Sequence, residues 1–160
     1  ALDDTVSPEL TKVLVEAAKK DGATVHEGGT YLNMEGPQFS TKAESRLYRS
    51  WGVDIIGMTN MVEAKLAREA EIAYASLCAV TDYDCWHEGH DSVTVEMIIE
   101  YLNKNVAMSK SILKQAIPMA GKIKKFAAED ALSSAIITAR DAIPEQKKKE
   151  LAILIGKYIK

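Results

Sequence analysis

The chain has 160 residues, a hydrophobic content of 47% and a formal net charge of −3. This content is enough for one domain with an apolar core, or for part of a larger one, and the charge gives no bulk reason to expect a nucleic-acid partner. No apolar run of about 18 residues and no basic-then-apolar leader occurs, so we expect no membrane span and no signal peptide, and we predict a cytoplasmic location.

Start and stop signals along the chain predict helices alternating with strands, which is typical of an α/β domain. Ser7-Pro8-Glu9 is an N-cap, a proline at the first helical position and an acid in the first turn, and 41–44 matches a capping box. The predicted elements are a helix from Pro8 to Gly22, strands over 24–26 and 30–34 around the Gly28-Gly29 turn, a helix from 42 to about 52, a strand over 54–58, a helix over 62–71, a strand over 74–81, a long amphipathic helix from 94 that closes over 118–121, and helical segments over 129–138 and 144–158.

Two carboxylates, Asp82 and Asp84, directly follow the predicted strand over 74–81. The carboxyl end of a strand is where α/β folds place chemistry. When two carboxyl groups share one site, their pKa values can be pushed apart, which leaves one group neutral as a proton donor. The alternative is a solvated acidic loop, and these residues alone leave both interpretations open.

Three segments taken together resemble one known family. They are Gly36-Pro37-Gln38-Phe39, Gly57-Met58-Thr59 and Thr81-Asp82-Tyr83-Asp84-Cys85-Trp86. Their order and spacing resemble the purine nucleoside phosphorylase family, and its 5′-methylthioadenosine phosphorylase branch most closely, over about residues 8–118. The resemblance implies part of a phosphorylase/hydrolase-like three-layer α/β/α fold with a mixed central sheet. It also implies phosphate-dependent cleavage of 5′-methylthioadenosine to adenine and 5-methylthioribose 1-phosphate, with phosphate as co-substrate and no metal or organic cofactor.

The resemblance assigns four residues to the purine base. Asp82 is implied as the general acid that protonates N7 of the leaving adenine, and Asp84 as the group that fixes the 6-amino edge. Phe39 is implied to stack on the base, although a phenylalanine here also fits a core position. Ser40 stands where guanine-selective members carry a glutamate, which favours adenine.

A second set of residues is implied to contact the sugar, its 5′ group and phosphate. Met58 corresponds to a residue that packs on the ribose, and Thr59 to one that donates a hydroxyl to phosphate. Val95, Ile98 and Ile99 form an apolar face at helical spacing. Such a wall suits a 5′-methylthio group, although the same stripe is also ordinary for a helix core.

The glycine-rich phosphate loop of the resembled family is missing from this sequence. Phosphorolysis needs a glycine-rich turn that presents backbone N–H groups to the anion, and no such turn matches. We therefore expect residues 1–120 to be the C-terminal part of a phosphorylase domain and 121–160 a helical extension. The expected partners are the N-terminal portion of the same enzyme, a nucleoside and phosphate, in a homotrimer or homohexamer.

Two rival functions remain open at this stage. A hydrolytic methylthioadenosine nucleosidase would use the same base pocket without phosphate. A non-catalytic basic interaction module is the other, because 104–125 holds six lysines and no acidic residue. Lysines on the outer face of a long helix are more often simply solvated.

Overall fold

A computed structural model describes residues 4–87 and 95–159, apart from the side chains of Val95 and Ile98. Its helices and strands follow one another as α1 (Pro8–Lys20), β1 (Tyr31–Asn33), α2 (Lys42–Ser50), β2 (Ile55–Gly57), α3 (Met61–Glu69), α4 (Val95–Ala120), α5 (Glu145–Glu150) and α6 (Ala152–Ile155). Strands and helices alternate in the first half, so the α/β class is confirmed. None of the described helices is long and apolar enough to cross a bilayer.

The predicted starts of α1 and α2 are confirmed. The Ser7 side chain accepts the Leu10 amide at 3.3 Å and caps α1. The capping box of α2 is complete, because Thr41 accepts the Glu44 amide while Glu44 accepts the Thr41 amide. These bonds satisfy amide groups that have no partner within a helix.

Helices α1 and α4 pack against each other to form the apolar core. Its buried members are Ala17, Ala18, Ile112 and Ala116. Asp21, just after α1, accepts hydrogen bonds from Ser111 at 2.6 Å and Gln115 at 2.8 Å. The core therefore lies at the carboxyl-terminal half of α4, where these polar bonds hold the two helices in register.

The predicted hairpin around the Gly28-Gly29 turn is wrong. Strand β1 pairs in parallel with β2, with Leu32 opposite Ile56, and 24–26 is not a strand. The Thr30 carbonyl accepts the Asp54 amide at 3.0 Å, and the Asp54 carboxylate accepts the Thr30 amide at 2.7 Å. Because Val25 packs on the α1–α4 core, its segment is drawn away from β1.

The predicted strand over 74–81 is not part of a sheet, since the only sheet among residues 4–87 and 95–159 is β1–β2. Asn60 accepts hydrogen bonds from Tyr74 and Ser76, which holds the start of this segment near β2. A groove of about 420 Å³ lies between 74–79 and the β1–β2 pair.

The predicted helix over 129–138 is also wrong. A 3₁₀ turn over Ala127–Asp130 stands there, followed by turns. The Leu132 amide donates to the carboxylate of Glu71 at 2.9 Å instead of to a helical carbonyl, which takes the chain out of a helical path. The segment over 144–158 is helical in two short pieces, α5 and α6, rather than one.

The chain exposes much more surface than a compact protein of its size. Its accessible area is 11579 Å², whereas a compact protein of 17.5 kDa exposes about 7,900 Å². The excess includes large apolar side chains on α4, among them Leu102 and Leu113. Much of the apolar face of this chain is therefore uncovered.

Candidate functional site

Two of the motif segments touch at Gly36 and Met58. A Cβ atom built on Gly36 would lie 2.4 Å from the Met58 Cε atom, so the methionine occupies the space that glycine leaves free. Met58 follows directly after β2 and is half-buried. The glycine thus allows the loop after β1 to lie on the side chain at the end of β2.

Phe39 and Ser40 lie in that same loop, just before the N-cap of α2. Phe39 is 84% exposed. A core position for this aromatic ring is therefore wrong for this chain. The Ser40 hydroxyl donates to the Met34 sulfur at 3.3 Å, and the Ser40 carbonyl accepts from the Cys85 thiol at 3.6 Å. The second contact joins this loop to the Asp82 segment.

Thr59 is held by its backbone rather than by its side chain. Its carbonyl oxygen accepts the Tyr31 hydroxyl at 2.9 Å, and the residue itself is exposed. The Tyr31 ring crosses Gly57 so closely that a Cβ atom on this glycine would lie 1.9 Å from the Tyr31 oxygen. Gly57 therefore allows Tyr31 to fix the turn that presents the Thr59 hydroxyl.

Asp82 and Asp84 belong to one hydrogen-bonded loop. The Asp82 carboxylate accepts the Thr81 hydroxyl at 2.8 Å and the Asp84 amide at 2.9 Å. Asp82 is exposed and Asp84 is half-buried. The two acids thus have different surroundings, although the described residues do not enclose Asp82 in an apolar pocket.

Helix α2 holds this loop at two points. The Ser45 hydroxyl donates to Asp84 at 2.6 Å, and the Arg49 guanidinium lies 3.5 Å from the centre of the Trp86 ring. Tyr83 packs edge-on against Trp86 with ring centres 6.0 Å apart. The sequence analysis did not single out Ser45 or Arg49. The signal that could have indicated Ser45 is a polar residue on the inward face of a capped helix.

The predicted 5′ wall is only partly described. Val95 and Ile98 belong to the start of α4, and their side chains lie outside the described residues. Ile99 is 52% exposed. Asn105, further along α4, donates to the Val80 carbonyl at 3.2 Å, so α4 contacts the segment that leads into Asp82.

Taken together, the segment 36–45 contacts Met58 on one side and the loop of Asp84 on the other, and Phe39 and Asp82 are exposed in these segments. Among the residues that the structure describes, no three His, Cys, Asp or Glu side chains are grouped as metal ligands would be. Cys78 and Cys85 are both free thiols at exposed positions. The arrangement offers an aromatic face, two carboxylates and a hydroxyl on one open surface.

Comparison with known proteins gives a consistent result. The family model of the phosphorylase superfamily matches residues 2–118. The S-methyl-5'-thioadenosine phosphorylase of Geobacter sulfurreducens is 53% identical over 156 residues, which is 98% of this chain and 54% of the relative. The protein of the same name from Koribacter versatilis is 52% identical over 155 residues, covering 97% and 53%. The chain thus spans about half the length of the curated relatives it matches.

Solved structures agree with these relatives. A methylthioadenosine phosphorylase from an antarctic soil metagenomic library superposes with a TM-score of 0.87 at 43% identity, over 96% of this chain and 55% of that one. The methylthioadenosine phosphorylase from Schistosoma mansoni in complex with adenine gives a TM-score of 0.70 at 30% identity, over 78% and 49%. Similarity in sequence therefore extends to the arrangement of the backbone.

Proposed function

This chain belongs to the phosphorylase superfamily, and from that premise we propose that it is part of an enzyme that cleaves 5′-methylthioadenosine with phosphate. The products are adenine and 5-methylthioribose 1-phosphate. The observation that carries the proposal is that the segment 36–45 contacts both 57–59 and 81–86. Two relatives named S-methyl-5'-thioadenosine phosphorylase, each more than half identical to this chain over nearly its whole length, support the proposal.

The proposed roles at the base follow from chemistry. Loss of adenine from the sugar leaves negative charge on the purine, which a proton at N7 relieves. Asp82 supplies that proton as general acid, a contribution typically of about 10²–10⁴-fold. Asp84 accepts from the 6-amino group, Phe39 stacks on the ring, and Ser40 leaves the N1 edge without the carboxylate that a guanine would need.

The proposed roles at the sugar use the neighbouring segments. Met58 packs on the ribose face, and Thr59 donates its hydroxyl to the attacking phosphate. Val95, Ile98 and Ile99 form the wall beside the 5′-methylthio group. An apolar wall favours that group over a hydroxyl, because a buried hydroxyl without a partner costs about 1–3 kcal/mol.

We further propose that a second portion of the enzyme completes the fold and the phosphate site. The large exposed area and the groove between 74–79 and β2 support this. Strands that enter the groove would extend β1–β2 into the mixed central sheet of a three-layer α/β/α fold. The expected location is the cytoplasm, and the expected assembly is a trimer or a pair of trimers.

The test is adenine release from 5′-methylthioadenosine by the complete protein, with and without phosphate. We expect turnover only with phosphate, no turnover by the 160-residue chain alone, and loss of turnover in an Asp82→Asn control. Release without phosphate would instead favour the hydrolytic nucleosidase. Phosphate-dependent turnover by the chain alone would contradict the need for a second portion.

The basic-module alternative has little structural support. Lys104 pairs with Glu100 at 2.6 Å, and Lys125 pairs with Asp130 at 2.9 Å. These pairs partly neutralise the lysine-rich segment from both ends. Salt-dependent nucleic-acid binding at physiological ionic strength, without any turnover, would be needed to favour this function.

A further inference from the structure

We propose that Ser45 is a positioning residue for the proposed reaction: its hydroxyl fixes the carboxylate of Asp84, and Asp84 in turn fixes Asp82 through its backbone amide. The proposal rests on the proposed function, because it concerns the same two carboxylates. Ser45 itself does not contact the substrate. Its effect passes through Asp84.

The bond that Ser45 makes is unusual for a serine in a helix. A helical serine either points to solvent or bonds to a carbonyl of its own preceding turn. Ser50, on the same helix, does this, since its hydroxyl donates to the Leu47 carbonyl at 2.7 Å. Ser45 instead donates at 2.6 Å to Asp84, which is 39 residues further along the chain.

Burial makes this bond consequential. Ser45 is 2% exposed, so water does not readily replace its partner. A hydroxyl that donates to a carboxylate forms one of the stronger hydrogen bonds in proteins, with a typical length of about 2.5–2.7 Å. The bond therefore ties the Asp84 carboxylate to α2, whose capped first turn begins only four residues earlier.

The backbone of Asp84 explains how this reaches Asp82. Asp84 has a φ of +59°, in the left-handed region that few residues other than glycine adopt. In this conformation its amide points to the Asp82 carboxylate at 2.9 Å. Holding the Asp84 side chain on α2 thus stabilises the turn that orients Asp82. Arg49, one helical turn after Ser45, holds the same loop at Trp86.

The kinetic test compares Ser45→Ala and Ser50→Ala in the complete protein. Each removes one serine hydroxyl from α2, and only the first breaks the bond to Asp84. We expect Ser45→Ala to lower kcat/KM for 5′-methylthioadenosine by about 10- to 100-fold, the size of losing one hydrogen bond to a charged group, and Ser50→Ala to leave it unchanged. Equal values for the two variants would overturn the proposal.

A double variant tests the route through Asp84. In an Asp84→Ala background, adding Ser45→Ala should lower kcat/KM no further, because the acceptor is already gone. A full additional loss there would mean that Ser45 acts on the fold rather than on Asp84. Thermal unfolding of each variant shows whether a loss of folded protein accounts for the kinetics.

Hydrogen exchange gives a readout that does not need the reaction. Amides of 82–86 should exchange faster in Ser45→Ala than in the parent, and at the parent rate in Ser50→Ala. If the parent lacks phosphorolysis, the proposed function fails, while faster exchange in Ser45→Ala alone still supports the hold on the loop. Unchanged exchange in Ser45→Ala would overturn the proposal whatever the activity.

Discussion

Replacing Gly57 by alanine should displace Tyr31 and destabilise the sheet. The new Cβ atom would lie 1.9 Å from the Tyr31 oxygen and 2.8 Å from the Cζ atom. Real contacts of a Cβ atom are essentially never under 3.0 Å, so the ring has to withdraw by about 1 Å or more. That movement breaks the bond of 2.9 Å from Tyr31 to the Thr59 carbonyl.

The expected cost follows from three terms. Overpacking of this kind costs about 1–3 kcal/mol, and the lost hydrogen bond adds about 0.5–1.5 kcal/mol. Alanine at a position with an ordinary φ also lowers the conformational entropy of the unfolded chain, which stabilises the folded state by about 0.4–1 kcal/mol. The net loss in the free energy of unfolding is therefore about 2 kcal/mol.

The assay is urea unfolding of the complete protein, with two comparison variants. Gly121→Ala is the matched control, because its Cβ atom would meet nothing closer than 3.7 Å and its φ is not positive, so we expect no loss. In the double variant Gly57→Ala with Tyr31→Phe, the overlap of the Cβ atom with the Tyr31 oxygen is gone. Its loss in the free energy of unfolding should therefore be smaller than the sum of the two single losses by about 1 kcal/mol. Strict additivity would refute the reasoning, as would equal stability of the two alanine variants.

Three further predictions concern single residues. Asp82→Asn in the complete protein should lower kcat by about 10²–10⁴-fold with little change in KM, and equal steady-state activity on 5′-methylthioadenosine would remove Asp82 as the general acid. Val95→His should narrow the preference in kcat/KM for 5′-methylthioadenosine over adenosine, and an unmoved ratio would make Val95 a packing residue. Burial raises the pKa of Glu71, but hydrogen bonds from Lys157 and Tyr158 outweigh it and leave the pKa below 4.5, its ordinary value. The stability from Glu71 is thus present above pH 4.5 and is lost as the pH falls through the lowered pKa, so Glu71→Gln should flatten this acid limb in urea unfolding, and an unchanged limb would contradict the role of Glu71.

The features predicted correctly from the sequence are those whose partners are near in the chain. Ser7 caps α1 through an amide three residues away, and Thr41 and Glu44 bond each other within one turn. Such bonds depend only on local spacing, which the sequence displays directly. The periodicity also predicts α4 correctly, and the helix ends at Ala120, within the predicted close at 118–121.

The wrong elements are those decided by distant partners. The segment at 24–26 has strand-like residues, yet the Thr30 amide donates to the Asp54 carboxylate and Val25 packs against the α1–α4 core. The segment at 129–138 has a helical composition, yet Glu71 takes the Leu132 amide from 61 residues away. No local pattern marks such partners, and a single sequence without its folded surroundings does not reveal them.

The candidate site divides in the same way. The motif predicts Asp82 and Asp84 as candidate site residues. It does not indicate the serine that bonds to Asp84 or the asparagine that bonds to the preceding segment. Ser45 and Asn105 are ordinary helical residues until the fold brings them to Asp84 and Val80. Supporting residues of this kind are recognised by geometry rather than by residue type.

The exposure of the site and the excess surface of the chain have one physical explanation under the proposed function. A carboxylic acid that protonates a leaving base has to be kept neutral near pH 7, which requires an apolar surrounding. Asp82 is exposed and Phe39 is 84% exposed, so the described residues do not supply that surrounding. A second portion that fills the groove beside β2 and brings the phosphate site would also bury apolar area around the base. Phosphate binding and a dry pocket for Asp82 would then depend on the same assembly step.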